Sequence, residues 1–104
     1  MYSEMFYLIR SKQDGQYLVA RPRLAEQPEP QNYPGFILLF KEYADALSYL
    51  NTHAGDVVTH FAVETIPRAQ LGSLMKRWSF TGMGIVQDPL IPRVEFLQHN
   101  PQFP

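Results

Sequence analysis

A chain of 104 residues has the length of one domain, and its hydrophobic content of 45% is typical of a globular protein rather than a disordered one. Nine basic and ten acidic side chains give a formal net charge of −1, so bulk electrostatics does not favour binding to polyanions. Cysteine is absent, which excludes disulfides, thiolate catalysis and cysteine-ligated zinc.

The first predicted element is a β-hairpin over about residues 4–21. Residues 5–9 form a continuous apolar run, and residues 17–20 form a second strand-like run. Asp14-Gly15 lies between them, and this pair is typical of hairpin turns because glycine takes a positive φ at low cost. A two-residue loop and a longer bulged loop both fit, so the register stays open.

Residues 22–34 are predicted to form a surface loop. They include four prolines and show no apolar periodicity. A loop of this length is unusual. A mobile connector is the simpler interpretation and a binding loop is the alternative, although no Pro-x-x-Pro spacing marks a ligand of polyproline-reading domains.

The middle of the chain predicts strand, helix, strand and helix. Residues 36–40 are apolar throughout, which indicates a central strand covered on both faces or nearly so. A helix over residues 42–53 follows and ends near Gly55. The alternation in residues 57–63 predicts a half-buried strand, and the second helix is expected to run from about Pro67 to Trp78.

Glycine and proline then divide the last third of the chain. Gly82 and Gly84 are expected to turn the chain tightly from the second helix into a strand. Asp88-Pro89 predicts a turn, and residues 93–97 alternate well enough for a last, edge-like strand. The tail over residues 98–104 is expected to fray.

These elements predict a single α+β domain over residues 1–97. Its core is a mainly antiparallel sheet of five or six strands with two helices packed on one face, in the order β-β-β-α-β-α-β-β. Six helical side chains should face the sheet: Tyr43, Leu47, Leu50, Leu71, Leu74 and Trp78.

No pattern in the chain carries catalysis, a cofactor or a metal. There is no Gly-x-Ser-x-Gly elbow, and residues 81–84 lack the lysine of a phosphate-binding loop and the hydroxyl residue that follows it. His60 and Glu64, four apart on a predicted strand, would stand about 13 Å apart, too far to share one ion. We therefore predict no catalytic residue, no cofactor site, no metal ligand and no enzyme activity.

Candidate interaction residues lie outside the predicted helices. Basic side chains cluster on or beside the hairpin, where they could form an RNA- or phosphate-facing patch or simply guard a solvated sheet edge. The second interpretation is favoured, so nucleic acid is an unlikely partner. The candidate surface comprises Arg10, Lys12, Tyr17, Arg21, Arg23, Tyr33 and Phe96.

The N-terminus has no basic region ahead of an apolar run, so it does not resemble a secretory signal. The longest apolar runs are about five residues, far below the roughly 18–20 that a membrane helix needs. We therefore expect a soluble cytoplasmic protein that does not bind membranes.

From about Phe36 to Pro89 the chain resembles the SseB N-terminal-domain family of small bacterial proteins. The matching features are the apolar strand 36–40, the acidic, alanine-containing helix start 42–46 and the closing stretch 84–89. The resemblance implies an interaction or secretion-related accessory role, and it carries over no catalytic residue.

The sequence as a whole predicts a small non-catalytic protein-interaction or accessory module, for which a homodimer is one form. Apolar side chains near predicted edges and loops motivate this function: Tyr33, Phe80, Ile91, Phe96 and Phe103. The alternative is small-ligand or nucleic-acid binding through the arginine-rich hairpin.

Overall fold

A computed structural model describes residues 4–22 and 35–98 of the chain. It contains β1 (Met5–Ser11), β2 (Val19–Ala20), β3 (Phe36–Phe40), α1 (Tyr43–His53), β4 (Phe61–Pro67), α2 (Leu71–Trp78), β5 (Gly82–Asp88) and β6 (Arg93–Gln98), with 3-10 segments at Gly55–His60 and Arg68–Gln70. The predicted α+β class and the predicted succession of elements are confirmed. No helix in the described ranges has the length and apolar character needed to span a membrane.

The strands form one mixed sheet in the order β4-β1-β3-β5-β6, and the short β2 pairs with β3. Every strand pair is antiparallel except β3 with β5, so the prediction of a mainly antiparallel sheet is confirmed. Within the described residues, β4 and β6 are the two ends of this order. β3 lies at its centre, as its unbroken apolar sequence predicted.

The two helices pack on opposite faces of the sheet, so their predicted placement on one face is wrong. Successive strand residues point to opposite faces. Ile37 and Leu39 of β3 join the core beneath α2, whereas Leu38 and Phe40 join the core beneath α1. Because β3 is apolar at every position, each face needs its own cover, and one helix supplies it on each side. We call these the α1 face and the α2 face.

Helix α1 is rotated relative to the prediction. Tyr43 and Leu47, which were expected to face the sheet, are exposed. Leu50 is buried as predicted, and Ala46, which was not expected to face the sheet, is buried beside it. The small side chain of Ala46 lets the helix approach the sheet closely, and Tyr43 packs its ring edge-on against Tyr7 at 6.0 Å.

Helix α2 has the predicted orientation but starts later than predicted. Leu71 and Leu74 are buried and Trp78 packs against the same core, which confirms the expected face. Pro67 does not open the helix. It is the last residue of β4, with φ −65° and ψ 143°, and the fixed φ of proline suits that extended position equally well.

The predicted strand over residues 57–63 is displaced along the chain. The segment from Gly55 to His60 forms a 3-10 turn in which Val57 is exposed, and β4 begins only at Phe61. The predicted strand therefore begins about four residues before the observed one. Its second half, with Phe61 and Val63 packed against the α1-face core, does lie in the strand.

The predicted hairpin turn forms with the longer of its two possible loops. Gly15 has φ 73°, its N–H donates to the Ser11 carbonyl at 3.0 Å, and Ser11 N–H donates to the Gln16 carbonyl at 2.8 Å. Tyr17 pairs with Arg10 beyond the turn, before the two residues of β2. The predicted loop beyond residue 22 and the predicted tail beyond residue 98 lie outside the described residues, and Gln98 itself belongs to β6.

Gly82 and Gly84 do not turn the chain, which corrects a further prediction. Both lie inside β5, and the turn after α2 is made by Ser79, the one described non-glycine residue with a positive φ, at 58°. Gly84 is buried and serves close packing instead. A Cβ built on it would come within 2.9 Å of Val94 Cγ1.

Candidate interaction surface

Arg10, the first residue of the predicted basic patch, is held by contacts within the hairpin. Its Nε donates to the Gly15 carbonyl at 2.8 Å, and its guanidinium carbon lies 4.8 Å from the centre of the Tyr17 ring. Its Nη1 stands 3.7 Å from Glu64 Oε1 on β4. A half-exposed ion pair of this kind adds at most about 1 kcal/mol. These contacts give Arg10 a structural role in closing the turn and joining it to β4.

Tyr17 is also part of the fold rather than an isolated surface ring. Its ring meets Trp78 edge-on at 4.9 Å and Phe80 at 6.4 Å. Trp78 and Phe80 are themselves stacked at 6.0 Å with an interplanar angle of 8°. This aromatic group fixes the hairpin against the end of α2, which sequence patterning could not foresee because the three residues come from separate elements.

Two of the other basic candidates lie among the described residues. Lys12, in the turn after β1, and Arg21, directly after β2, are both exposed. Arg23 and Tyr33 lie outside the described residues. Of the described members of the predicted patch, Arg10 and Tyr17 contact each other, and binding of nucleic acid through the patch stays a prediction.

The last candidate, Phe96, lies in β6 at one end of the described sheet. Its ring packs edge-on against Phe36 at 5.1 Å and still leaves 39% of the residue exposed. Leu97 follows on the opposite face with similar exposure, and the turn before β6 exposes Leu90 by 59% and Ile91 by 72%. We call residues 90–97 the β6 edge surface. Within the described chain it brings together four of the exposed large apolar side chains.

The turn that opens the β6 edge surface is held by hydrogen bonds. Asp88 Oδ1 accepts from the N–H of Leu90 at 2.8 Å and of Ile91 at 3.3 Å, as the predicted Asp-Pro turn requires. His53 Nε2, at the end of α1, lies 2.9 Å from the Pro89 carbonyl oxygen. The apolar tip is thus presented in one conformation, which lowers the entropy cost of binding.

Two residues of this surface, Phe96 and Ile91, were predicted from the sequence as exposed apolar side chains. Leu90 and Leu97 were not predicted. The signal was available, because an edge strand should have apolar residues on one face only, and Phe96-Leu97 places one on each face. Two neighbouring apolar residues in a predicted edge strand indicate that each face of the strand carries apolar surface that can be buried by a contact.

Among residues 4–22 and 35–98, two titratable groups have shifted pKa values. The backbone N–H of Gln16 donates to Asp14 Oδ1 at 3.0 Å, and this bond, aided by the Ser11 side chain, lowers the pKa of Asp14 in the hairpin loop. Burial raises the pKa of Tyr49, whose ring packs against Phe40 on the α1 face. Neither group lies in the β6 edge surface, so both shifts concern stability rather than binding.

The raised pKa of Tyr49 predicts a loss of stability in alkali. Because the folded-state pKa exceeds the ordinary value of 10.0, the contribution to stability is complete below that pH and is lost as pH rises through the folded pKa. Ultraviolet titration of the phenols, with Tyr49→Phe providing the difference curve, should show one tyrosine ionising above its ordinary value. A difference curve centred at or below that value would contradict the buried environment.

Comparison of the chain with protein-family models, with curated proteins and with solved structures found no match. The resemblance to the SseB N-terminal-domain family therefore stays a prediction. Within residues 4–22 and 35–98, no three histidine, aspartate or glutamate side chains converge as metal ligands would.

Proposed function

We propose that this chain is a non-catalytic protein-interaction module that forms a homodimer through the β6 edge surface. The observation that carries the proposal is the exposure of four large apolar side chains in the β6 edge surface, Leu90 and Ile91 in the turn and Phe96 and Leu97 in the strand. Isolated exposed leucines are ordinary on protein surfaces, whereas several large apolar side chains gathered at an edge strand are typical of an interaction site.

The backbone of β6 favours pairing with another strand. β6 bonds to β5 on one side only, and no strand of the described residues lies on its other side. Its outward N–H and C=O groups are satisfied by water in the monomer, and an added strand would replace that water with a ladder of hydrogen bonds. A second copy supplies such a strand by symmetry.

The sequence of β6 is self-complementary in one antiparallel register. A two-fold axis through Val94 places Arg93 of each copy opposite Glu95 of the other, which makes two opposite-charge cross-strand pairs. The same register brings Ile91 of one copy to the level of Leu97 of the other. Within the described residues neither Arg93 nor Glu95 has an ion-pair partner in the monomer.

Neighbouring registers fit less well. An axis through Glu95 would place two like charges directly opposite each other, which destabilises an antiparallel pair. An axis through Phe96 would bring two phenyl rings together but would place Glu95 opposite Leu97. The charges therefore favour the Val94 register.

The test is a charge swap measured by sedimentation velocity. Wild type is expected to reach twice the chain mass of 12.0 kDa as concentration rises. Glu95→Arg places two arginines opposite each other and should weaken the dimer at least tenfold, which corresponds to about 1.4 kcal/mol. The double variant Arg93→Glu with Glu95→Arg restores both opposite-charge pairs and should recover the dimer.

Asp56→Arg provides the matched control, since it changes the charge equally on an exposed residue of the 3-10 turn after α1. It should leave the dimer intact. A wild-type chain that remains monomeric at millimolar concentration would refute self-association. A dimer that survives Glu95→Arg, or a double variant that stays monomeric, would refute this surface and register.

The proposal also includes a cytoplasmic location and a role that does not involve nucleic acid. The absence of cysteine supports a reducing compartment, and the contacts of Arg10 within the hairpin support a structural use for that cation. A bacterial accessory role of the SseB type is part of the same proposal and has the sequence resemblance as its support.

A further inference from the structure

A groove of about 420 Å³ lies on the α2 face, between α2 and the edge strand β4. Its floor is apolar and consists of Leu8, Ile66 and Leu74. Its rim is polar and includes Gln70, Ser73 and Arg77. Polar surface exceeds apolar surface in its accessible lining, so the groove offers a small apolar contact within a largely polar site.

One side of α2 lines the groove. Gln70, at the N-cap of the helix, is followed by Ser73, Leu74 and Arg77 at spacings of three, four and seven, which place them on one side. Seven residues of helix rise about 10 Å, which equals about three residues of an extended chain. A short extended peptide could therefore follow the residues that α2 contributes.

The strand beside the groove is open. β4 has seven residues, pairs with β1 along its whole length, and has no strand on its other side within the described residues. A peptide lying there could bond to the β4 backbone while one of its side chains enters the groove. Peptide recognition by strand addition combines these two elements, because the backbone provides affinity and the pocket provides specificity.

The charge around the groove is positive. Residues 68–78 contain Arg68, Lys76 and Arg77 and no acidic residue. Arg68 pairs with Glu4 at 3.2 Å, whereas Lys76 and Arg77 have no ion-pair partner among the described residues. Glu64, the acidic residue that lines the groove, stands 3.7 Å from Arg10. The unmatched charge at the rim is that of Arg77.

We propose that this groove binds an extended acidic peptide of another protein, which adds to β4 as a new edge strand. One aliphatic side chain of the peptide rests on Leu8, Ile66 and Leu74, and a neighbouring carboxylate pairs with Arg77. The site lies at the opposite end of the sheet order from β6, so it is independent of the homodimer.

The test is fluorescence anisotropy with two labelled hexapeptides on the full chain. In the first, valine and aspartate alternate on either side of a leucine near the middle. The second has lysine at each aspartate position. The acidic peptide should bind with a micromolar dissociation constant, and the lysine peptide at least tenfold more weakly. An acidic peptide with alternate amides N-methylated should lose binding, because it can no longer donate to the β4 backbone.

Variants locate the site. Arg77→Gln and Arg77→Glu should weaken the acidic peptide about tenfold or more, and Ser73→Trp should abolish binding by filling the groove. Lys41→Glu, which makes the same change of charge on an exposed residue between β3 and α1, is the matched control and should leave the affinity unchanged. Circular dichroism of each variant should match wild type, since Arg77 and Ser73 are exposed.

Three results would overturn the inference. They are no binding of the acidic peptide at millimolar concentration, equal binding of the acidic and lysine peptides, and equal effects of Arg77→Glu and Lys41→Glu. Binding of labelled single-stranded RNA that is lost in Arg77→Glu, without peptide binding, would assign the groove to nucleic acid instead. Repeating the titration on Glu95→Arg separates the two proposals, because peptide binding should survive there.

Discussion

Replacing Leu50 by alanine is expected to lower the free energy of unfolding by about 2–5 kcal/mol. The residue is only 3% exposed and packs in the α1-face core. The substitution removes its transfer free energy and leaves a cavity beside Phe40 and Val86 in that same core. A chain of this size is stable by about 5–15 kcal/mol, so the loss is a large share of the total.

Leu47→Ala is the matched comparison on the same helix. Leu47 is 39% exposed, so the same substitution should cost less than about 1 kcal/mol. Helix propensity changes equally in both variants, and the difference therefore reports burial alone. Urea unfolding measures both free energies. Equal costs, or a larger cost at Leu47, would show that α1 presents the face that its sequence periodicity predicted.

Gly84→Ala is expected to lower the free energy of unfolding by about 1–3 kcal/mol through overpacking. The added Cβ would lie 2.9 Å from Val94 Cγ1, 3.2 Å from Phe96 Cε1 and 3.3 Å from Leu38 Cδ2. Strand residues on both sides of β5 would have to move, and both are fixed by their hydrogen-bonded register. Thermal and urea unfolding would measure the loss.

Gly72→Ala is the control for the effect of glycine on the unfolded chain. A Cβ at Gly72 meets no atom within 4 Å, and the residue lies in the first turn of α2. The substitution should raise the free energy of unfolding by about 0.4–1 kcal/mol, because alanine reduces unfolded-state entropy and favours helix. A stabilising Gly84→Ala would contradict the close packing at β5.

The sequence predicted the succession of elements but not all of their bounds, and not how the elements pack together. The apolar run of β3 and the Asp-Gly turn are local signals, and both were read correctly. The rotation of α1 was predicted wrongly. The helix carries two acceptable apolar stripes, Tyr43-Leu47-Leu50 and Ala46-Leu50. Packing against the sheet decides between these stripes, because the small side chain of Ala46 fits at the point of contact.

The candidate site shows the same division. Phe96 was predicted because it is an apolar residue in a strand that the local alternating pattern marked as edge-like. Arg10 and Tyr17 were predicted as surface residues because their partners, Glu64 and Trp78, are more than fifty residues away in the chain and belong to β4 and α2. A single sequence does not indicate which distant residue forms an ion pair with a cation or packs against an aromatic ring.

The strand order β4-β1-β3-β5-β6 also fixes the valency of the assembly. In a dimer joined at β6, the twelve strands of the two copies would form one continuous sheet, in which ten strands follow one another in order from one β4 to the other. At about 4.8 Å per strand, the two grooves would stand roughly 43 Å apart. Two such sites on one rigid body would bind a partner with repeated acidic segments bivalently, with an avidity set by the length of chain between the repeats.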